Sequence, residues 1–100
     1  MIHLTKENLD DLICASNAIV VCFYQKNHAL CTFTMNSFRE IEKMAGRSFQ
    51  MYMVDVDAET EVCNAFGCKI TPECVSVMNG RIYKRASGML LASQILDLLK

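Results

Sequence analysis

The sequence has no long apolar run, no surplus of either charge and no internal repeat. Each absence closes off a class of protein. No apolar stretch approaches the ~20 residues of a membrane-spanning helix. A formal net charge of −1, with 21% charged residues, lacks the basic field that draws a chain to nucleic acid or to an anionic membrane surface. Neither partner is therefore expected. Low-complexity tracts and linkers are also missing, and 100 residues of which 52% are hydrophobic make a single domain, residues 1–100, with a modest core. The first residues, Met-Ile-His-Leu-Thr-Lys-Glu, have neither the basic start nor the apolar stretch of a secretory signal, so the expected location is the cytoplasm.

Cysteine is plentiful, with six in the chain, yet no pair is spaced C-x-x-C. A cytoplasmic chain keeps its thiols reduced, and free cysteine is among the most buried residue types, so most of the six read as small apolar core residues. His28 and Cys31 supply only half of a tetrahedral zinc set, with no second pair spaced to join them; no metal and no cofactor is expected. The sequence leaves open whether Cys14, Cys63 and Cys68 reach the surface, and the oligomeric state.

The chain is organised around residues 19–42, reading IVVCFYQKNHALCTFTMNSFREIE. Ile19 to Phe23 form a continuous β-branched apolar run, which suits a strand buried on both faces. Tyr24 to Asn27 break it. From about Ala29, the residues Leu30, Phe33, Met35, Phe38, Ile41, Met44 and Ala45 recur at three- and four-residue steps, the buried stripe expected of a long amphipathic helix. A group in the break stands at a helix N-terminus, where unpaired N–H groups and the dipole favour a thiolate or another anion. The occupants are His28 and Cys31.

Elsewhere the expectations are simpler. His3 and Leu4 form a short edge strand. Thr5 is the expected N-cap of a first helix over roughly residues 6–15, burying Leu9, Leu12 and Ile13 and ended by Ser16 and Asn17. Gly46 marks the stop of the long helix, with Arg47 near its negative end. Residues 49–56 alternate as a third strand, residues 59–66 form a short helix closed by Gly67, and Val75 to Met78 and Arg81 to Ala86 flank the Asn79-Gly80 hairpin turn. Gly88 is the hinge before a closing helix that carries Leu90, Leu91, Ile95, Leu98 and Leu99. The order β-α-β-α-β-α-β-β-α implies an α/β domain, a mixed sheet covered by helices on both faces.

Taken together these motifs resemble those of the thioredoxin family, whose pattern residues 21–99 follow without a gap. The family's V-D-F-W strand corresponds to Val21-Cys22-Phe23-Tyr24, and its W-C-G-P-C-K motif to Asn27-His28-Ala29-Leu30-Cys31-Thr32. The end of its third strand resembles Val54-Asp55-Val56-Asp57, its I-P-T resembles Thr71-Pro72-Glu73, and its glycine before the last helix matches Gly88. The resemblance implies the thioredoxin fold, with four to five strands and a cis-proline at Pro72. It also implies that His28 replaces the attacking cysteine, Cys22 the buried aspartate and Asn27 the flanking tryptophan. Imidazole forms no mixed disulfide, so the dithiol cycle is closed to this chain.

Two functions follow from the resemblance. One is a redox-inactive module that binds a protein or peptide in a groove formed by Asn27, His28, Thr71, Pro72 and Gly88. The other is a monothiol oxidoreductase or redox sensor in which Cys31 is the nucleophile. Each residue also has a plainer reading: Cys31 as an inert leftover thiol, His28 as a tolerated surface change, Pro72 as kept for geometry, Glu73 as simply solvated. In the family the strand at the Cys22 position pairs with the strand after the cis-proline, so Cys22, Cys31 and Cys74 are expected near one another, either as packed thiols or with Cys22 or Cys74 bridged to Cys31.

Overall fold

The structure, a computed structural model, describes residues 2–14, 17–44 and 46–100, without the side chain of Ile13. Five strands form one sheet in the order β1-β3-β2-β4-β5, where β1 is Ile2–His3, β2 Ile19–Tyr24, β3 Gln50–Asp55, β4 Glu73–Met78 and β5 Arg81–Ser87. β1, β3 and β2 run parallel; β4 runs antiparallel to β2 and to β5. The helices are α1 (Leu9–Ile13), α2 (Ala29–Glu42), α3 (Thr60–Phe66) and α4 (Ala92–Leu96), the last continued by a 3₁₀ turn at Asp97–Leu99.

Alternation along the strands divides the core into two layers. On one face Val21, Phe23, Tyr52, Val54, Val75 and Val77 pack against Leu4, Leu12, Val62 and Phe66. On the other Val20, Cys22, Met51, Met53 and Cys74 pack against Met35, Phe38, Ile41, Leu90, Ile95 and Leu98. β2 is the central strand and serves both layers, which is why its sequence is apolar at every step. Phe23 meets Phe66 edge to face at 5.3 Å between ring centroids, a contact of about 0.5–1.5 kcal/mol beyond the area buried.

Three expectations change. The first helix begins at Leu9, not Lys6, because the Asn8 side chain holds residues 5–8 in a turn: its Oδ1 accepts the Thr5 N–H at 2.7 Å and its Nδ2 donates to the His3 carbonyl at 2.9 Å. Leu12 is buried as expected; the Ile13 side chain, Ala15 and Ser16 lie outside the described residues. In α2 the buried positions are Cys31, Thr34, Met35, Ser37, Phe38 and Ile41. Leu30, Phe33 and Met44 are exposed, so the stripe is rotated from the one that apolar residues alone suggest, and Ala45 lies outside the described residues. The last helix starts at Ala92, after Leu90 and Leu91; Leu90, Ile95 and Leu98 are buried but Leu91 is exposed.

The punctuation falls close to its expected places. Gly46 and Gly67 have positive φ, as expected after helix ends. Arg47 donates to the Glu42 carbonyl, where a cation complements the negative end of the α2 dipole. The antiparallel direction of β4 brings its first residue level with the end of β2, as the pairing of Phe23 with Glu73 shows, and Ser87 ends β5 beside them. One end of the sheet therefore collects the β2–α2 loop, the Thr71–Pro72 segment and Gly88.

Candidate functional site

His28 is the extended residue that opens α2, at φ −117° and ψ 119°, and its side chain caps no N–H of the helix. Its backbone carbonyl accepts the Thr32 N–H at 3.0 Å. The ring is half-buried, and its Nδ1 is buried without a hydrogen-bond partner among the described residues. Asn27, just before it, takes φ +59°, a left-handed conformation that asparagine tolerates better than most residues. The sharp exit from β2 is thus made by Asn27, and α2 starts immediately afterwards.

Cys31 lies in the first turn of α2 and is 2% exposed. Its Sγ accepts the Gln25 N–H at 3.4 Å, so the loop between β2 and α2 closes over the sulfur. The same residue lines a cleft of about 410 Å³ shared with Asn27, Met35, Arg39 and Met53. One turn later Thr34, fully buried, donates its hydroxyl to the Gly88 carbonyl at 2.8 Å and accepts the Leu90 N–H at 3.1 Å. This pair of bonds ties the start of α2 to the loop that leads into α4.

The Thr71–Pro72 peptide is cis. Gly88, at φ +95°, donates its N–H to the Pro72 carbonyl at 2.9 Å. The five residues expected to form a groove come from three loops at this end of the sheet: Asn27 and His28, Thr71 and Pro72, and Gly88. Around them stand exposed apolar side chains, Leu30 at 41%, Ile70 at 59% and Met89 at 54%. Glu73 is not solvated as expected. It is buried, and its Oε1 lies 3.4 Å from Arg85 Nη1, whose guanidinium also donates to the carbonyls of Phe66 and Gly67 at the end of α3.

Cys22 and Cys74 face each other across β2 and β4, and both are fully buried. The Cys74 side chain and then burial push the Cys22 thiol well above its ordinary value. The Cys22 thiol donates to the Met35 sulfur at 3.4 Å; Cys31 sits one turn earlier on α2 and takes its contact from Gln25 instead. All six cysteines are free thiols. Cys63 is pushed up chiefly by burial, and Cys68 is pushed up to about 11 by burial and then by the Glu73 carboxylate. Among the described residues, no group of three or more His, Cys, Asp or Glu side chains is placed to hold a metal ion. No described helix is long and apolar enough to cross a membrane.

Sequence reasoning missed the Thr34 tether and the Glu73–Arg85 pair. The signal for the first is a threonine at a core-facing step of α2. The second had none, because it depends on where β5 lays Arg85.

A family model described as Thioredoxin matches residues 1–100. Among solved structures the chain is similar to the thioredoxin of Malassezia sympodialis (Mala s 13), with a TM-score of 0.83 at 19% sequence identity, over 93% of this chain and 81% of that one. At that identity the likeness speaks to the fold, and the fold is that of the five-stranded mixed sheet described above. No curated protein matches the sequence.

Proposed function

The chain belongs to the thioredoxin family, and from that premise we propose that it is a protein- or peptide-binding module, redox-inactive at the family's motif, one that keeps the family's groove and has given up the dithiol chemistry of that motif. The observation that carries this reading is His28 at the opening of α2, in the place of the attacking cysteine. An imidazole accepts no mixed disulfide. The remaining thiol, Cys31, is almost wholly covered, while Leu30, Ile70 and Met89 stay exposed beside Thr71, Pro72 and Gly88. A partner's extended segment would lie along the Thr71 backbone in the manner of an added strand, its apolar side chains covering that rim. The expected partner is a protein or peptide in the cytoplasm, without nucleic acid, membrane or cofactor.

A second reading has one observation in its favour. The Gln25 N–H is aimed at Cys31 Sγ at 3.4 Å, and the cleft beside the sulfur gives a small disulfide a route that avoids the groove. On this reading Cys31 is a monothiol oxidoreductase centre or sensor.

One assay separates them: turnover of a disulfide-bridged peptide by the wild type, by Cys31→Ser and by His28→Cys. The binding reading expects no Cys31-dependent turnover by the wild type and new turnover in His28→Cys, because the groove and Cys31 are already in position. Turnover by the wild type that Cys31→Ser abolishes would replace it with the monothiol reading.

A further inference from the structure

The end of α3 brings together two thiols that take no part in the groove. Gly67 stands at φ +66°, and the chain reverses there through two hydrogen bonds, from Gly67 N–H to the Asn64 carbonyl at 3.2 Å and from Cys68 N–H to the Cys63 carbonyl at 3.0 Å. In this helix-ending motif an apolar contact frequently accompanies the longer-range bond, between the side chains of the residue that donates it and the residue that accepts it. Here those residues are Cys68 and Cys63. The covalent bonds on either side of a 3.0 Å hydrogen bond keep the two Cα atoms within the roughly 7 Å that a disulfide tolerates.

Both cysteines pack on the core layer beneath α1 and α3, and both line one cleft of about 260 Å³ that they share with Lys69, Ile70 and Thr71. Cys63 is the sheltered member, 8% exposed. Cys68 is the accessible one, its thiol donating to the Ile70 carbonyl at 3.4 Å. An accessible thiol backed by a buried one is the arrangement of an attacking and a resolving sulfur. Cys31 lies in α2 and His28 immediately precedes it, and α2 packs on the other face of the sheet, so the pair is separate from the family's motif.

From this placement we infer that Cys63 and Cys68 form a two-electron dithiol–disulfide couple that reacts with small disulfides through the cleft beside Thr71. Cys68 releases its proton to solvent, and the thiolate attacks one sulfur of R–S–S–R. The displaced RS⁻ takes up a proton. Cys63, likewise deprotonated, attacks the Cys68 sulfur and displaces the second RS⁻. Two protein thiols are oxidised, one external disulfide is reduced to two thiols, and no other reactant is consumed.

The test uses the full chain carrying Cys14→Ser, which removes the exposed thiol. The protein is incubated with excess bis(2-hydroxyethyl) disulfide at mildly alkaline pH, alkylated and digested with trypsin without reduction. The peptide of residues 48–69 contains both cysteines. The expected result is a peptide lighter by two hydrogens and closed to alkylation, with a hydroxyethylthio adduct accumulating on Cys68 when Cys63→Ser removes the resolving sulfur. A peptide with both thiols alkylated, or with two separate adducts, overturns the proposal. The chain that retains Cys63 decides between these outcomes by itself, so the test stands even if Cys63→Ser fails to fold.

Discussion

Cys68 is a residue whose proton is bound up with folding. Its thiol rises from 9.0 to about 11 in the folded protein, through burial and then the Glu73 carboxylate. The folded chain keeps a proton that the unfolded chain gives up from about pH 9, so the stabilisation present below that pH is lost as pH rises toward 11. The urea midpoint of the wild type is expected to fall more steeply across that window than that of Cys68→Ser. Equal slopes would show that the thiol is not held protonated by the fold. Glu73 itself illustrates what a single position conceals. Its neighbours in sequence, Pro72 and Cys74, say nothing of Arg85, which arrives from β5 and at the same time satisfies carbonyls of α3. His28 and Cys31 are different, because the polar break between an apolar run and a helical period fixes their place in the chain. What the break does not fix is how deeply Cys31 is covered.

That depth belongs to the element. Counting apolar residues puts Leu30 and Phe33 on the buried stripe of α2, whereas the helix buries Cys31 and Thr34. A small or hydroxylated residue takes a core-facing step when its polar atoms find partners there, and Thr34 finds two on the loop before α4. Thr34→Val keeps the shape and deletes both bonds, leaving the Gly88 carbonyl and the Leu90 N–H without them. The expected cost is about 1–3 kcal/mol, read from denaturant unfolding. Hydrogen exchange at the Leu90 amide should also quicken while the amides of β3 keep their protection. If Leu90 is unchanged, the hydroxyl does not hold the loop. The same lesson applies to α1, where Asn8, rather than the Thr5 that an N-cap rule selects, organises the entry to the helix. The glycines were more legible: Gly67 follows an apolar helical period directly, and φ +66° is what a chain reversal at that point requires.

At the scale of the molecule, the order of elements along the chain and the mixed sheet with helices on both faces were legible because each strand has its own punctuation, whereas the order of strands across the sheet was not read from the sequence. The number of strands was open only at β1, whose two residues are too few to show a period. The distribution of thiols was not legible, since it depends on both layers at once. Cys14 is exposed and Cys68 partly so, while Cys22, Cys31, Cys63 and Cys74 are buried. A bulky thiol reagent should therefore modify the native protein at Cys14 first and Cys68 more slowly, with the other four reacting only on unfolding. Rapid labelling of Cys31 in the native state would show that the loop over it is open in solution.

The two borders of the sheet are finished in different ways. β1 ends one side after two residues, too short to template another chain. β5 ends the other with seven residues, nearly all exposed, among them Arg81, Lys84 and Arg85. A second copy approaching that border would bring cations against cations, and an unpaired strand guarded in this way resists stacking into aggregates. The chain therefore leaves an open hydrogen-bonding edge in water while making it unattractive to its own kind.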